Sequence, residues 1–110
     1  MAYNEALAER IRKRMEKRKG FSERKMFGGI CFMINGNMAC GIVGDDLMVR
    51  VGLRDYLKLL KKSYARPMDF TGRPLRGFVY VSAKGCDRQA SLNKWIEIGT
   101  DYARSLPTKI

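Results

Sequence analysis

KMFGGICFMINGNMACGIVGDDLMVRV, residues 25–51, decides the fold. Three apolar runs are separated by two turn signals. Asn35-Gly36 is the stronger, because a type I′ hairpin turn needs positive φ at both central residues and this pair tolerates it. Gly44-Asp45-Asp46 supplies the second turn. The spacing predicts strands over 29–35, 38–43 and 46–51. Ile30, Phe32 and Ile34 share one face of the first strand; Leu47, Val49 and Val51 share one face of the third. The opposite faces carry Cys31 and Met33, then Met48 and Arg50, less apolar yet not plainly polar. A sheet covered by helices on one side should alternate more cleanly. The second face therefore reads either as a partner surface, a homodimer included, or as scattered surface Met and Cys. Gly28-Gly29 marks a bulge or bend at the entry to the first strand. It is not a phosphate loop, since it lies before a strand and not between strand and helix.

Helices flank this meander. Residues 3–18 place Leu7, Ala8, Ile11 and Met15 on one stripe, with Asn4 suited to cap the start and Gly20 to end it. A second helix is expected over 53–62, with Leu53, Tyr56, Leu57 and Leu60 facing inward. The segment ARPMDFTGRPLRGFVYV, residues 65–81, follows. Pro67 and Pro74 cannot donate to a ladder and suit edges or loop ends. Thr71-Gly72 is a turn, and residues 78–81 read as a further strand. The last helix is expected to start near Asp87 as N-cap and to end at Pro107. Leu92, Trp95, Ile96, Gly99, Tyr102, Ala103 and Leu106 recur along it at helical spacing. Gly99 on the apolar stripe weakens the helix, so close packing is expected there. The order α-β-β-β-α-β-β-α implies an α+β, two-layer domain, an antiparallel sheet packed on helices. At 110 residues the chain is expected to form one domain over 1–110.

Charge and cysteine usage narrow the function classes. The net charge is +11, from 22 Lys and Arg against 11 Asp and Glu. Residues 10–25 alone hold nine basic residues and two acids. Nucleic acid, acidic protein surfaces and anionic ligands all suit such a chain. The candidate polyanion-binding surface is Arg10, Arg12, Lys13, Arg14, Lys17 and Arg18 on the first helix, with Lys58, Lys61 and Lys62 on the second. The plainer reading is a solvated face, with the last-turn bases matching the helix dipole. Cys31, Cys40 and Cys86 form no C-x-x-C pair, and His is absent, so a four-ligand zinc site within one chain is excluded. The cysteines read as small buried apolar groups in a reducing compartment. Without His, Ser-His and Cys-His nucleophile pairs are missing as well. No stretch has 18 consecutive apolar residues, and the N-terminal segment lacks the apolar core of a signal peptide. A cytoplasmic protein without cofactor is expected.

Two small clusters invite chemistry. Arg50, Arg66, Asp69, Thr71 and Arg73 form a candidate anion- or partner-binding group, because paired arginines grip carboxylate or phosphate bidentately. The simpler reading has Asp69 accepting from a neighbouring Arg, the prolines stiffening a loop and Phe70 plugging the core. Asp45 and Asp46 are adjacent, so their side chains diverge and a turn accounts for them better than acid–base work. Cys86 sits before an expected helix start, a place that favours a lowered thiol pKa, but no nucleophile–base constellation surrounds it and the plainer reading is an unreactive thiol. The aromatics fall mostly on core positions and do not interleave with Lys and Arg as in a base-stacking platform.

KMFGGICFMINGNMACGI at 25–42, DDLMVRVG at 45–52, ARPMDFTGRPLRGFVYV at 65–81 and the closing SLP at 105–107 together resemble the N-terminal domain of the TfoX/Sxy family of bacterial competence regulators. The resemblance covers nearly the whole chain. It implies a secretion-chaperone-like α+β fold and a regulatory, non-enzymatic role. It supplies no catalytic residue. The competence regulators carry a second, C-terminal helical domain resembling a helix-hairpin-helix unit, which is not expected here. The leading expectation is thus a regulatory or protein-binding domain, docking a partner or itself through the sheet face or edge. A nucleic-acid-associated basic protein is the first alternative, although no helix-turn-helix or other reading motif is evident. A small anion binder or enzyme at the Arg-Asp loop is the second.

Overall fold

The computed structural model describes residues 3–26, 28–69, 72 and 75–108. Helix α1 (Glu5–Met15) leads into strands β1 (Phe21–Met26), β2 (Gly29–Ile34), β3 (Asn37–Val43) and β4 (Asp46–Arg50). Then come α2 (Tyr56–Leu60), β5 (Ala65–Pro67), β6 (Phe78–Val81), a 3₁₀ turn at Ala83–Gly85 and α3 (Gln89–Ser105). The six strands form one sheet in the order β1-β2-β3-β4-β6-β5, each neighbouring pair antiparallel. The α+β class and the meander are as the sequence implies.

Local chemistry sets the turns. Asn35 (φ 54°) and Gly36 (φ 80°) occupy the two left-handed positions of a type I′ hairpin. Gly44 (φ 60°) starts the next hairpin, and Asn4 Nδ2 donates to Asp45 Oδ1 there at 3.2 Å. The same Asn4 caps α1, its side chain accepting from Leu7 N at 3.0 Å. β1 is the strand that periodicity did not predict. FSERKM is polar on both faces and holds only Phe21 and Met26 half-buried. Its extended form comes from pairing with β2, from Phe21 opposite Ile34 to Met26 opposite Gly29.

The three helices cover one face of the sheet. Leu7, Ala8, Ile11 and Met15 of α1, Tyr56 and Leu59 of α2, and Leu92, Trp95, Ile96 and Ala103 of α3 pack on Ile30, Phe32, Ile34, Ile42, Leu47, Val49, Val79 and Val81. Each such side chain stabilises the fold by roughly 1.5–3 kcal/mol relative to exposure. Two expectations fail at the helices. Leu53 and Leu57 are 69% and 72% exposed, and Leu59 takes the inward place. The helix of α2 starts only at Tyr56, so the predicted inward register slips. Helix α3 starts at Gln89 with Arg88 at the N-cap and no side-chain cap, so Asp87 does not cap it.

A bulge fixes how α3 sits. Between the Phe32–Cys40 and Met33–Met38 pairs, β3 holds one extra residue, Ala39. Gly99 lies directly over it: a Cβ there would be 2.2 Å from the Ala39 carbonyl oxygen. The close packing expected at Gly99 is found. Next to it, Thr100 Oγ1 is buried without a hydrogen-bond partner, a local cost of this tight contact.

The second face is not open. Cys31, Met33, Met38, Met48, Met68 and Tyr80 form a separate buried cluster, with Leu75 and Phe78 against it. Met68 belongs to the long β5–β6 connection and has no exposed surface. Leu75 N donates to Met68 O at 2.7 Å, which closes the loop back on itself. The mixed Met and Cys pattern thus marks a second small core covered by the chain's own loop. It is neither a bare partner surface nor scattered surface residues.

Candidate functional site

The basic run of α1 is largely spent on internal contacts. Arg12 grips Glu23 of β1 bidentately, at 2.6 and 2.8 Å, and Glu9 at 2.7 Å. Arg14 Nε donates to Glu97 of α3 at 3.2 Å, and Arg18 forks onto both oxygens of the same carboxylate. Arg10 donates to Asp87 O at 3.0 Å and to Gln89 Oε1 at 3.3 Å. These contacts join α1 to the first turn and middle of α3 and to the edge strand. Lys13 and Lys17 of the run are exposed and pair with no described acid. The charge density that suggests a polyanion surface therefore serves in good part to clamp two helices together.

The carboxylates record the clamp. The Arg18 guanidinium, then Arg14, holds the Glu97 carboxyl below its ordinary value of 4.5. Arg12 does the same for Glu23. Both folded-state values are depressed, so their stabilisation is complete above about pH 4.5 and is lost as pH falls through the lower folded values. The expected result is a melting temperature that drops below pH 4.5. In a Glu23→Gln/Glu97→Gln double variant this acid limb should flatten, while stability at pH 7 falls by about 1 kcal/mol, the scale of partly exposed networks. A pH series of thermal melts on both proteins checks it.

The Arg-Asp group does not converge. Arg66 Nη2 donates to Asp46 at 2.5 Å and Nη1 to Ser82 Oγ at 3.0 Å, with the guanidinium 5.0 Å from the Tyr80 ring. Arg50 stacks between Phe78 at 5.6 Å and Tyr102 at 5.4 Å. The two arginines lie on strands separated by β6 and two residues out of register. Strand spacing and rise put their backbones about 12 Å apart. Asp69 is exposed and pairs with neither of them. Thr71 and Arg73 lie outside the described residues, as do Phe70 and Pro74. Asp46 holds Arg66 and Asp45 accepts from Asn4, so both acids work as structural acceptors.

The thiols are quiet. Burial pushes Cys31 up to about 11 and Cys40 up to about 12. Cys86 is also raised, by burial first, where proximity to a helix start suggested a lowered value. All three are free and buried. Among the described residues no cluster of three or more Cys, Asp or Glu is placed to hold a metal. Nor is any described helix long and apolar enough to cross a membrane.

The lysines that do converge come from three places. Lys62 after α2, Lys84 in the 3₁₀ turn and Lys94 on α3 line one concavity, with Trp95 and Tyr64 in its wall. No motif signals this, because chain segments far apart in sequence bring the three together. At the other end of the sheet, β1 presents an unpartnered edge. Ser22, Glu23, Arg24 and Lys25 on it are exposed.

With this geometry in hand, comparison with known families is decisive. The model of the TfoX N-terminal domain matches residues 13–103. The chain belongs to that family. The TfoX N-terminal match runs from the last turn of α1 into the last turn of α3 and includes every described strand. No curated protein and no solved structure matches the chain.

Proposed function

We propose that this TfoX N-terminal domain is a non-enzymatic regulatory module that binds a protein partner along the β1 edge. The observation that carries the reading is the free edge itself. β1 is six residues long, contains no Pro and, among the described strands, pairs with β2 alone. Such an edge offers a row of backbone donors and acceptors to an added strand. The opposite edge, β5, is only three residues long and ends in Pro67, which cannot donate. Glu23 is neutralised by Arg12, leaving Arg24 and Lys25 to set the charge of the edge, which suits an acidic partner strand. A role in transcription or competence rests on the family membership. A cytoplasmic setting is in keeping with three free, buried cysteines.

The test is affinity capture from native lysate, with and without nuclease, beside a folded Arg24→Glu/Lys25→Glu variant. A protein retained after nuclease by the wild type and lost from the variant supports edge docking. Retention that nuclease abolishes would assign the basic surface to nucleic acid instead. Equal capture by both proteins would remove β1 as the docking site.

A further inference from the structure

The concavity between α2, the 3₁₀ turn and α3 has the makings of a ligand site independent of β1. Its volume is about 320 Å³, at the small end of pockets for small molecules. Lys62, Lys84 and Lys94 line it, together with Ser63 and Ser91, and no described acid does. None of the three ammonium groups pairs with a described acid. Like charges gathered in one hollow repel each other until an anion neutralises them.

The wall is aromatic as well as cationic. Ser91, Lys94, Trp95 and Ile98 follow helical spacing on one stripe of α3. Trp95 is almost wholly buried, while Tyr64 at the rim is 52% exposed. Tyr64 has φ 69°, a left-handed conformation that a bulky side chain rarely adopts. Two contacts hold it there. Ser82 N donates to Tyr64 O at 3.0 Å, and Gly85 leaves space, since a Cβ on Gly85 would stand 2.9 Å from the Tyr64 Cβ. The fold thus maintains a strained backbone that places a large polar aromatic beside three lysines. Strain of this kind gathers at ligand clamps.

We propose that this hollow binds a small phosphorylated molecule bearing a flat ring, of nucleoside monophosphate size. The lysines and Ser91 take the phosphate, and Tyr64 and Trp95 pack against the ring. Lysine binds phosphate as a point charge, and three such charges match a doubly charged phosphate better than a single carboxylate. The volume admits one such unit.

Trp95 is the only tryptophan of the chain and reports on the site directly. Its fluorescence and the thermal melt are followed while adenosine monophosphate, adenosine, inorganic phosphate or a short single-stranded DNA is added. Expected is a saturable fluorescence change and a raised melting temperature with the monophosphate, weaker binding of inorganic phosphate, and no response to adenosine. A Lys84→Gln/Lys94→Gln variant should melt as the wild type does and bind at least about tenfold more weakly, a factor of ten being the loss of one good charge contact. Absence of both signals up to millimolar monophosphate would overturn the proposal. So would binding unchanged in the double variant, or lysine-dependent binding of the DNA alone, which would make the hollow part of a polymer track.

Discussion

A Gly99→Ala protein should lose about 2 kcal/mol of stability and melt roughly 10 °C lower, although alanine is the better helix former. In a free helix the exchange would gain up to about 1 kcal/mol. Here the new methyl would stand 2.2 Å from the Ala39 carbonyl oxygen and 3.3 Å from Val49 Cγ1. The first obstacle is backbone, which cannot rotate away as a side chain does. Helix α3 must lift from β3, loosening Ile96 and Ala103 from the face they cover. Overpacking of this kind costs about 1–3 kcal/mol and outweighs the propensity gain. Thermal and urea melts of the two proteins check it; an equal or higher melting temperature would show that α3 does not rest on the bulge.

A Met68→Ala protein should lose about 3 kcal/mol, within the range for truncating a buried Met. Met68 is fully buried among Cys31, Met33, Met48 and Tyr80, and it anchors the β5–β6 connection across the second face. With the anchor shortened, that connection loses its hold and the Met-rich face becomes accessible. Light scattering should then show self-association beyond that of the wild type at equal concentration. Met68→Leu, which conserves volume, should cost less than about 1.5 kcal/mol and stay as the wild type. If the alanine variant is as stable as the leucine variant, the second face does not depend on this anchor.

These two residues also mark how far the sequence could be read. Gly99 was legible because glycine on an apolar helical stripe has few explanations besides close approach. Met68 was not, because a single Met in a Pro-flanked loop has no periodicity to betray its burial. The same contrast separates the turns from the edge. Asn35-Gly36 encodes its own geometry, whereas FSERKM acquires its extended form only from the partner strand. Among the charges, the run on α1 was visible, but its acceptors Glu23 and Glu97 are brought to it by the fold. Polar pairings across elements leave no local trace.

The sequence by itself determined the α+β class, the turn between β2 and β3, the core stripe of α1 and the TfoX N-terminal family, because turn chemistry and hydrophobic period act over a few residues. Tertiary structure alone decided that β1 is an edge strand, that Met68 and Leu75 close a second core, that three arginines join the first helix segment to α3 while Arg12 ties it to β1, and that Lys62, Lys84 and Lys94 share a hollow. Each of these joins segments tens of residues apart. Such neighbours meet only when burial of the common core draws the chain together.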